Sequence, residues 1–156
     1  MAACSHARLD GDGGASGDPT EIALLAAAAG LGEAVDPARR EAIRAAEFRF
    51  DPALKLMSTI DRYPGALRVH TKGAPEAVLP VCATICGADG AVRALDPATG
   101  RELSGVVDAY AAGGLRVLAF AARTTLGQIM APGSPAGKHF APAGPTRPRP
   151  GRAGGG

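Results

Sequence analysis

Glu21, Phe50, Lys55, Lys72, Gly73 and Arg116 lie far apart in the chain, yet their side chains suit a ligand that is flat at one end and anionic at the other. Phe50 is one of only four phenylalanines, and a ring at the rim of a sheet can stack on a heteroaromatic base, a contact worth about 1–3 kcal/mol. Glu21 offers an acceptor to an exocyclic amine. Lys55 and Lys72 fall on or beside adjacent extended segments, where their ammonium groups can converge on a polyphosphate or line a base pocket. Arg116 adds a planar fork suited to phosphate oxygens. Gly73, beside Lys72, lets backbone approach a ligand closely. Each residue also has a plainer reading. A phenylalanine on an alternating strand is usually core, Glu21 complements a helix dipole, and exposed lysines and arginines usually form a solvated face.

The elements that must position these residues are partly legible. Residues 1–18 are rich in Gly and Asp and read as loop, with a helical fragment before Leu9. Asp18 caps a helix that starts at Pro19 and runs through strong helix formers to Gly30, with Glu21 in its first turn. Asp36-Pro37 opens a second helix over Ala38–Ala46. The pattern then becomes extended: Phe48 and Phe50 alternate with Arg49, Leu56–Ile60 and Leu67–Thr71 read as strands, and Asp61–Ala66 reads as the hairpin connection between them. Pro75 starts a short helix to Cys82, and Asp89-Gly90 turns the chain before Ala91–Leu95. Arg101–Ala112 is a helix stopped by Gly113-Gly114, and Leu115–Ala122 is an apolar strand broken only by Arg116. Strands and helices interleave without a βαβ period. The expected class is therefore α+β, an antiparallel sheet flanked by helices.

Composition narrows the function classes. The chain has 156 residues, 46% apolar and 4% aromatic, with no Trp, which suffices for one domain with a core of small aliphatic side chains. Gly at 22 and Pro at 13 concentrate after about Gly127, so residues 1–127 are expected to form the domain and 128–156 a disordered Gly/Pro/Arg-rich tail. The net charge is +2. The basic residues after Pro132 (Lys138, Arg147, Arg149 and Arg152) carry +4 with no acid, leaving −2 for residues 1–131. That argues against a nucleic-acid surface. No apolar run approaches the roughly 20 residues of a bilayer span, and no export signal is recognisable. Gly133–His139 resembles a phosphate loop with the wrong spacing, and Gly11–Ser16 resembles a dinucleotide fingerprint that lacks its third glycine. Cys82 and Cys86 lack the partners of a zinc set and read as small buried thiols. No histidine forms a triad with a serine and an acid; only His70, two positions from Lys72, reads as close to a site.

Four blocks occur in order: Gly17-Asp18-Pro19-Thr20-Glu21; Phe50-Asp51 followed by Lys55-Leu56-Met57-Ser58; Lys72-Gly73-Ala74-Pro75-Glu76; and Gly114-Leu115-Arg116-Val117-Leu118-Ala119. Together they make residues 1–123 resemble the nucleotide-binding domain of cation-transporting P-type ATPases, the branch with the calcium, magnesium, proton and sodium–potassium pumps. The resemblance implies that Phe50 stacks on adenine, Glu21 meets its amino group, Lys55 and Lys72 line the pocket, Arg116 contacts phosphates and Leu118 touches the base. It implies ATP as ligand, bound as Mg-ATP in an intact pump, and the phosphorylation and actuator domains as partners. It also implies a position on the cytoplasmic side of the membrane.

Departures from the family pattern set the expectations. Ala53 and Leu54 stand where the family usually carries a charged pair, so contacts around the triphosphate are expected to be weaker. The chain shows no Asp-Lys-Thr-Gly-Thr block for the phosphorylated aspartate, no Thr-Gly-Glu loop and no Gly-Asp-Gly-x-Asn-Asp block for magnesium. The expectation is an ATP-binding domain or fragment of a pump, not catalytic by itself because acceptor and metal must come from elsewhere. It would be cytoplasmic as this chain, without nucleic-acid binding or membrane insertion. The alternative is a stand-alone regulatory or interaction protein with a decayed nucleotide pocket.

Overall fold

The computed structural model describes residues 2–9, 14–33 and 35–125. The helices α1 (Pro19–Gly30), α2 (Pro37–Ile43), α3 (Pro75–Val78) and α4 (Pro97–Ala112) all begin on a proline. Proline's missing N–H costs nothing in a first turn. For α1, α2 and α4 the preceding residue is an aspartate whose carboxylate accepts amides of that turn: Asp18 from Thr20 at 2.8 Å, Asp36 from Ala38 at 3.0 Å and Asp96 from Thr99 at 2.8 Å.

The strands are β1 (Arg8–Leu9), β2 (Ala15–Ser16), β3 (Arg44–Asp51), β4 (Leu56–Tyr63), β5 (Ala66–Gly73), β6 (Thr84–Cys86), β7 (Val92–Ala94) and β8 (Ala119–Thr125). A four-stranded antiparallel sheet runs β3-β4-β5-β8, while β1 with β2 and β6 with β7 form separate antiparallel pairs. The α+β class is as expected.

Period-two alternation gives the sheet two distinct faces. On one, Ile60, Leu67 and Val69 are buried with Ala45, Ala46 and Phe48. On the other, Thr59 and Cys4 are buried and their side chains meet at 3.4 Å. Cys4 belongs to an N-terminal arm, a 3-10 turn over Ala2–Cys4 that continues into β1. The arm packs on β4 and β5, and α1 packs on the arm. The layers are therefore sheet, arm and helix. On α1, Leu25 and Ala28 are fully buried, and Glu21 lies on the same stripe at positions i, i+4 and i+7.

Several boundaries differ from the sequence reading. The second helix ends at Ile43, because Arg44 and Ala46 pair with Asp61 and Ile60 as the start of β3. The β4–β5 turn narrows to Pro64-Gly65, with Gly65 at φ 70, since Tyr63 and Ala66 still pair. Residues 115–118 are not strand: the Leu115 amide bonds Tyr110 O at the end of α4, and pairing begins only where Ala119 meets Gly73. Cys82 is half-buried and Cys86 exposed, so they are not two buried thiols. The tail from 128, the loop-like Gly133–His139 and Gly11–Gly13 of the Gly11–Ser16 segment lie outside the described residues.

Among the described residues no helix is long and apolar enough to cross a membrane.

Candidate functional site

Register assembles the candidate residues. Asp51 stands opposite Leu56, Leu56 opposite Gly73, and Gly73 opposite Ala119. The last residues of β3 and β5 and the first residues of β4 and β8 therefore share one end of the sheet. Phe50, Lys55, Lys72, Gly73 and Leu118 all lie at that end or one residue from it. Arg116 follows on the segment leading into β8.

Phe50 is 59% exposed. It sits just before a turn closed by Asp51, whose Oδ1 accepts the amides of Ala53 at 2.7 Å and Leu54 at 3.3 Å. This Asx-type turn places Lys55 at φ 55, the only non-glycine residue with positive φ among those described. The unusual conformation is held from β5. Lys55 O accepts the Ala74 amide at 3.0 Å, and a Cβ on Gly73 would sit 2.5 Å from that oxygen and 2.7 Å from Leu56 Cβ. Gly73 thus permits close approach of the chain to itself.

The two lysines do not share a partner. Lys55 is exposed and its Nζ lies 3.1 Å from Glu76 Oε1 at the start of α3. Lys72 is buried, and its Nζ lies 2.9 Å from Glu21 Oε1. Glu21 Oε2 accepts the His6 amide at 2.9 Å and the Ala7 amide at 3.3 Å. Burial alone would raise the Glu21 carboxyl, but the Lys72 hydrogen bond, the His6 amide and the Lys72 charge outweigh it and hold Glu21 below the usual glutamate range. A buried pair of this kind is costly to break from one side.

Arg116 is exposed and has no hydrogen-bond or ion-pair partner among the described residues, so its guanidinium is available to an anion. Leu118 is half-buried. His70 is set apart from the site: its Nε2 lies 3.4 Å from Asp61 Oδ2, and Asp61 is held by Arg44 Nε at 2.8 Å. An open groove of about 1490 Å³ lies beside α4 and includes only Leu118 of the candidate residues. Among the described residues no group of three or more His, Cys, Asp or Glu side chains could hold a metal ion.

Sequence reasoning missed the arm and Arg40. The Arg40 guanidinium on α2 donates to the carbonyls of Ala2, Ser5 and Ala7 at 3.1, 2.8 and 2.9 Å. Arg44, at the start of β3, also donates to the arm at Ala3 O, and because Arg40 and Arg44 sit on different elements no sequence spacing signalled that both reach it.

A family model described as P-type ATPase, cytoplasmic domain N, matches residues 1–142. The chain is 34% identical over 121 residues to calcium-transporting ATPase 1 of Lactococcus lactis, covering 78% of this chain and 14% of that protein. It is 38% identical over 109 residues to plasma-membrane-type calcium-transporting ATPase 7 of Oryza sativa, covering 68% and 10%. Over 103 residues it is 38% identical to probable cation-transporting ATPase F of Mycobacterium bovis, covering 66% and 11%. The chain thus spans between 10% and 14% of the length of these relatives. With the ordered blocks, the antiparallel α+β fold and a match over nearly the whole chain, this protein belongs to the P-type ATPase cytoplasmic N-domain family.

Proposed function

We propose that this chain binds ATP at the end of the sheet where β3, β4, β5 and β8 meet. Phe50 stacks on the adenine, Glu21 accepts from its amino group, and Leu118 adds an apolar contact. Lys72 and Lys55 line the pocket and Arg116 meets the phosphates. The reading rests chiefly on the register Asp51–Leu56–Gly73–Ala119, which collects residues from four strands' ends at one place. The exposed Phe50 ring and the exposed Arg116 guanidinium support it further.

ATP must take over contacts that the protein already makes, since Lys72 is bound to Glu21 and Lys55 to Glu76. Each ligand contact that replaces an internal one adds little net free energy, so millimolar to high-micromolar affinity is expected, about −4 to −6 kcal/mol. In an intact pump this surface would hold Mg-ATP for phosphoryl transfer to an aspartate on the phosphorylation domain, with the actuator domain completing the cycle on the cytoplasmic side. The magnesium arrives with the nucleotide and neutralises phosphate charge. In this chain the residues bind and orient only.

A second reading, an interaction protein with a decayed pocket, draws on α4, which has no buried residue and leaves Val106 and Tyr110 exposed. Calorimetric titration with ATP and with adenosine separates the two. ATP binding is expected, weakened about tenfold by Phe50→Ala, with adenosine weakened in parallel. Arg116→Ala is expected to weaken ATP by about tenfold and leave adenosine unchanged. No saturable binding by the folded chain would leave the interaction reading.

A further inference from the structure

The N-terminal arm lies between a cation and an anion. On one side, Arg40 Nη1 and Nη2 take the carbonyls of Ala2, Ser5 and Ala7. On the other, Glu21 Oε2 takes the amides of His6 and Ala7, with Ser5 Oγ at 3.5 Å. The arm's orientation is therefore set by its own peptide dipoles, carbonyls towards the guanidinium and amides towards the carboxylate. Ser5 and Ala7 are buried. Gly17, at φ 126, is the place where α1's approach meets the arm, and a Cβ there would stand 2.8 Å from Ala7 Cα. With Oε2 so occupied, Glu21 presents Oε1 to Lys72.

We infer that Arg40 is a positioning residue for the nucleotide site: by holding the carbonyls of Ala2, Ser5 and Ala7 it aims the arm's amides at Glu21 Oε2 and so fixes the direction of Glu21 Oε1 towards Lys72 and the ligand. The inference rests on the ATP reading for its functional meaning, and on the hydrogen-bond geometry for its structural content. Arg40 touches no candidate ligand-binding side chain through a hydrogen bond; it acts through backbone. Its Nε has no hydrogen-bond partner among the described residues, so the terminal nitrogens of the fork carry the contact.

The groups facing Glu21 are Lys72 from β5, His6 from the arm, Arg40 from α2 and Asp18 at the start of its own helix. Loosening the arm removes amide hydrogen bonds that favour the ionised carboxylate, which moves Glu21 titration upward. Losing the Arg40 charge acts in the same direction. Arg40→Lys separates the two causes, because it keeps the charge without the planar fork.

The test uses the full chain and its variants Arg40→Met, Arg40→Lys and Arg8→Ala, the last removing an exposed pair with Glu41 on the outer side of the arm. NMR follows the Glu21 carboxyl midpoint and the hydrogen exchange of the His6 and Ala7 amides, and calorimetry follows ATP. In Arg40→Met the two amides are expected to exchange at least about tenfold faster, the midpoint to rise, and ATP to bind about fivefold more weakly, with β4 and β5 amides unchanged. Arg40→Lys is expected to fall between Met and wild type in all three, and Arg8→Ala to match wild type. Wild-type amide exchange and midpoint in a folded Arg40→Met chain would overturn the inference, as would an Arg40→Lys chain identical to wild type. If Arg40→Met does not fold, Arg40→Lys alone decides. A wild-type chain that binds no ATP would count against the nucleotide reading, while the midpoint and the amides would still decide the role of Arg40.

Discussion

At the scale of single residues, a close approach between two strands determines where Lys55 stands. The missing Cβ of Gly73 lets Lys55 O reach the Ala74 amide, and that contact holds Lys55 in a left-handed conformation beside the start of β4. Gly73→Ala would place a methyl group 2.5 Å from a carbonyl oxygen, a backbone clash that no rotamer relieves. It is expected to destabilise the chain by about 1–3 kcal/mol, read as a lower urea midpoint, and to weaken ATP binding through displacement of Lys55. An unchanged midpoint would show that the strands separate at no cost. The sequence offered Gly73 as a ligand-facing glycine; its packing against Lys55 and Leu56 was not legible, because that contact is with a segment that only tertiary pairing brings near. Lys72 and Glu21 were legible as charges, yet nothing in their spacing of fifty-one positions showed that they bond each other.

At the scale of elements, local chemistry was readable and boundaries set by pairing were not. Asp18-Pro19 and Asp36-Pro37 announced α1 and α2 correctly, and Asp96-Pro97 carried the same signal for α4, which the sequence reading began too late at Arg101. The β3 start at Arg44 was hidden because Arg-Ala-Ala-Glu is a good helical sequence, overridden by pairing with β4. The sheet's inner polar group also has a measurable consequence. Burial holds the His70 imidazole below its ordinary range of about 6.5, against the pull of Asp61. As pH falls below that value the unfolded chain takes up the proton first, so stability declines until the folded imidazole is protonated too. Denaturation followed between pH 7.5 and 5 is expected to show this decline, and His70→Gln to flatten it. An equally steep decline in the variant would assign the loss to another group.

At the scale of the whole molecule, the sheet's end gathers the nucleotide candidates, and the groove lined by α4 reaches that end at Leu118 and Ala119. The family membership explains why blocks so far apart in sequence belong together; the sheet register supplies their geometry. Under the proposed ATP reading, the surface offered to the nucleotide is the one that carries Phe50, Glu21 and Arg116. The most direct measurement is the amide spectrum of the full chain titrated with ATP. Saturable shifts are expected at the first turn of α1, at Phe50–Leu56, at Lys72–Ala74 and at Arg116–Ala119, with the β6–β7 pair and α4 unmoved. A folded chain without saturable shifts, or with shifts confined to α4 around Val106 and Tyr110, would contradict ATP binding at the end of the sheet.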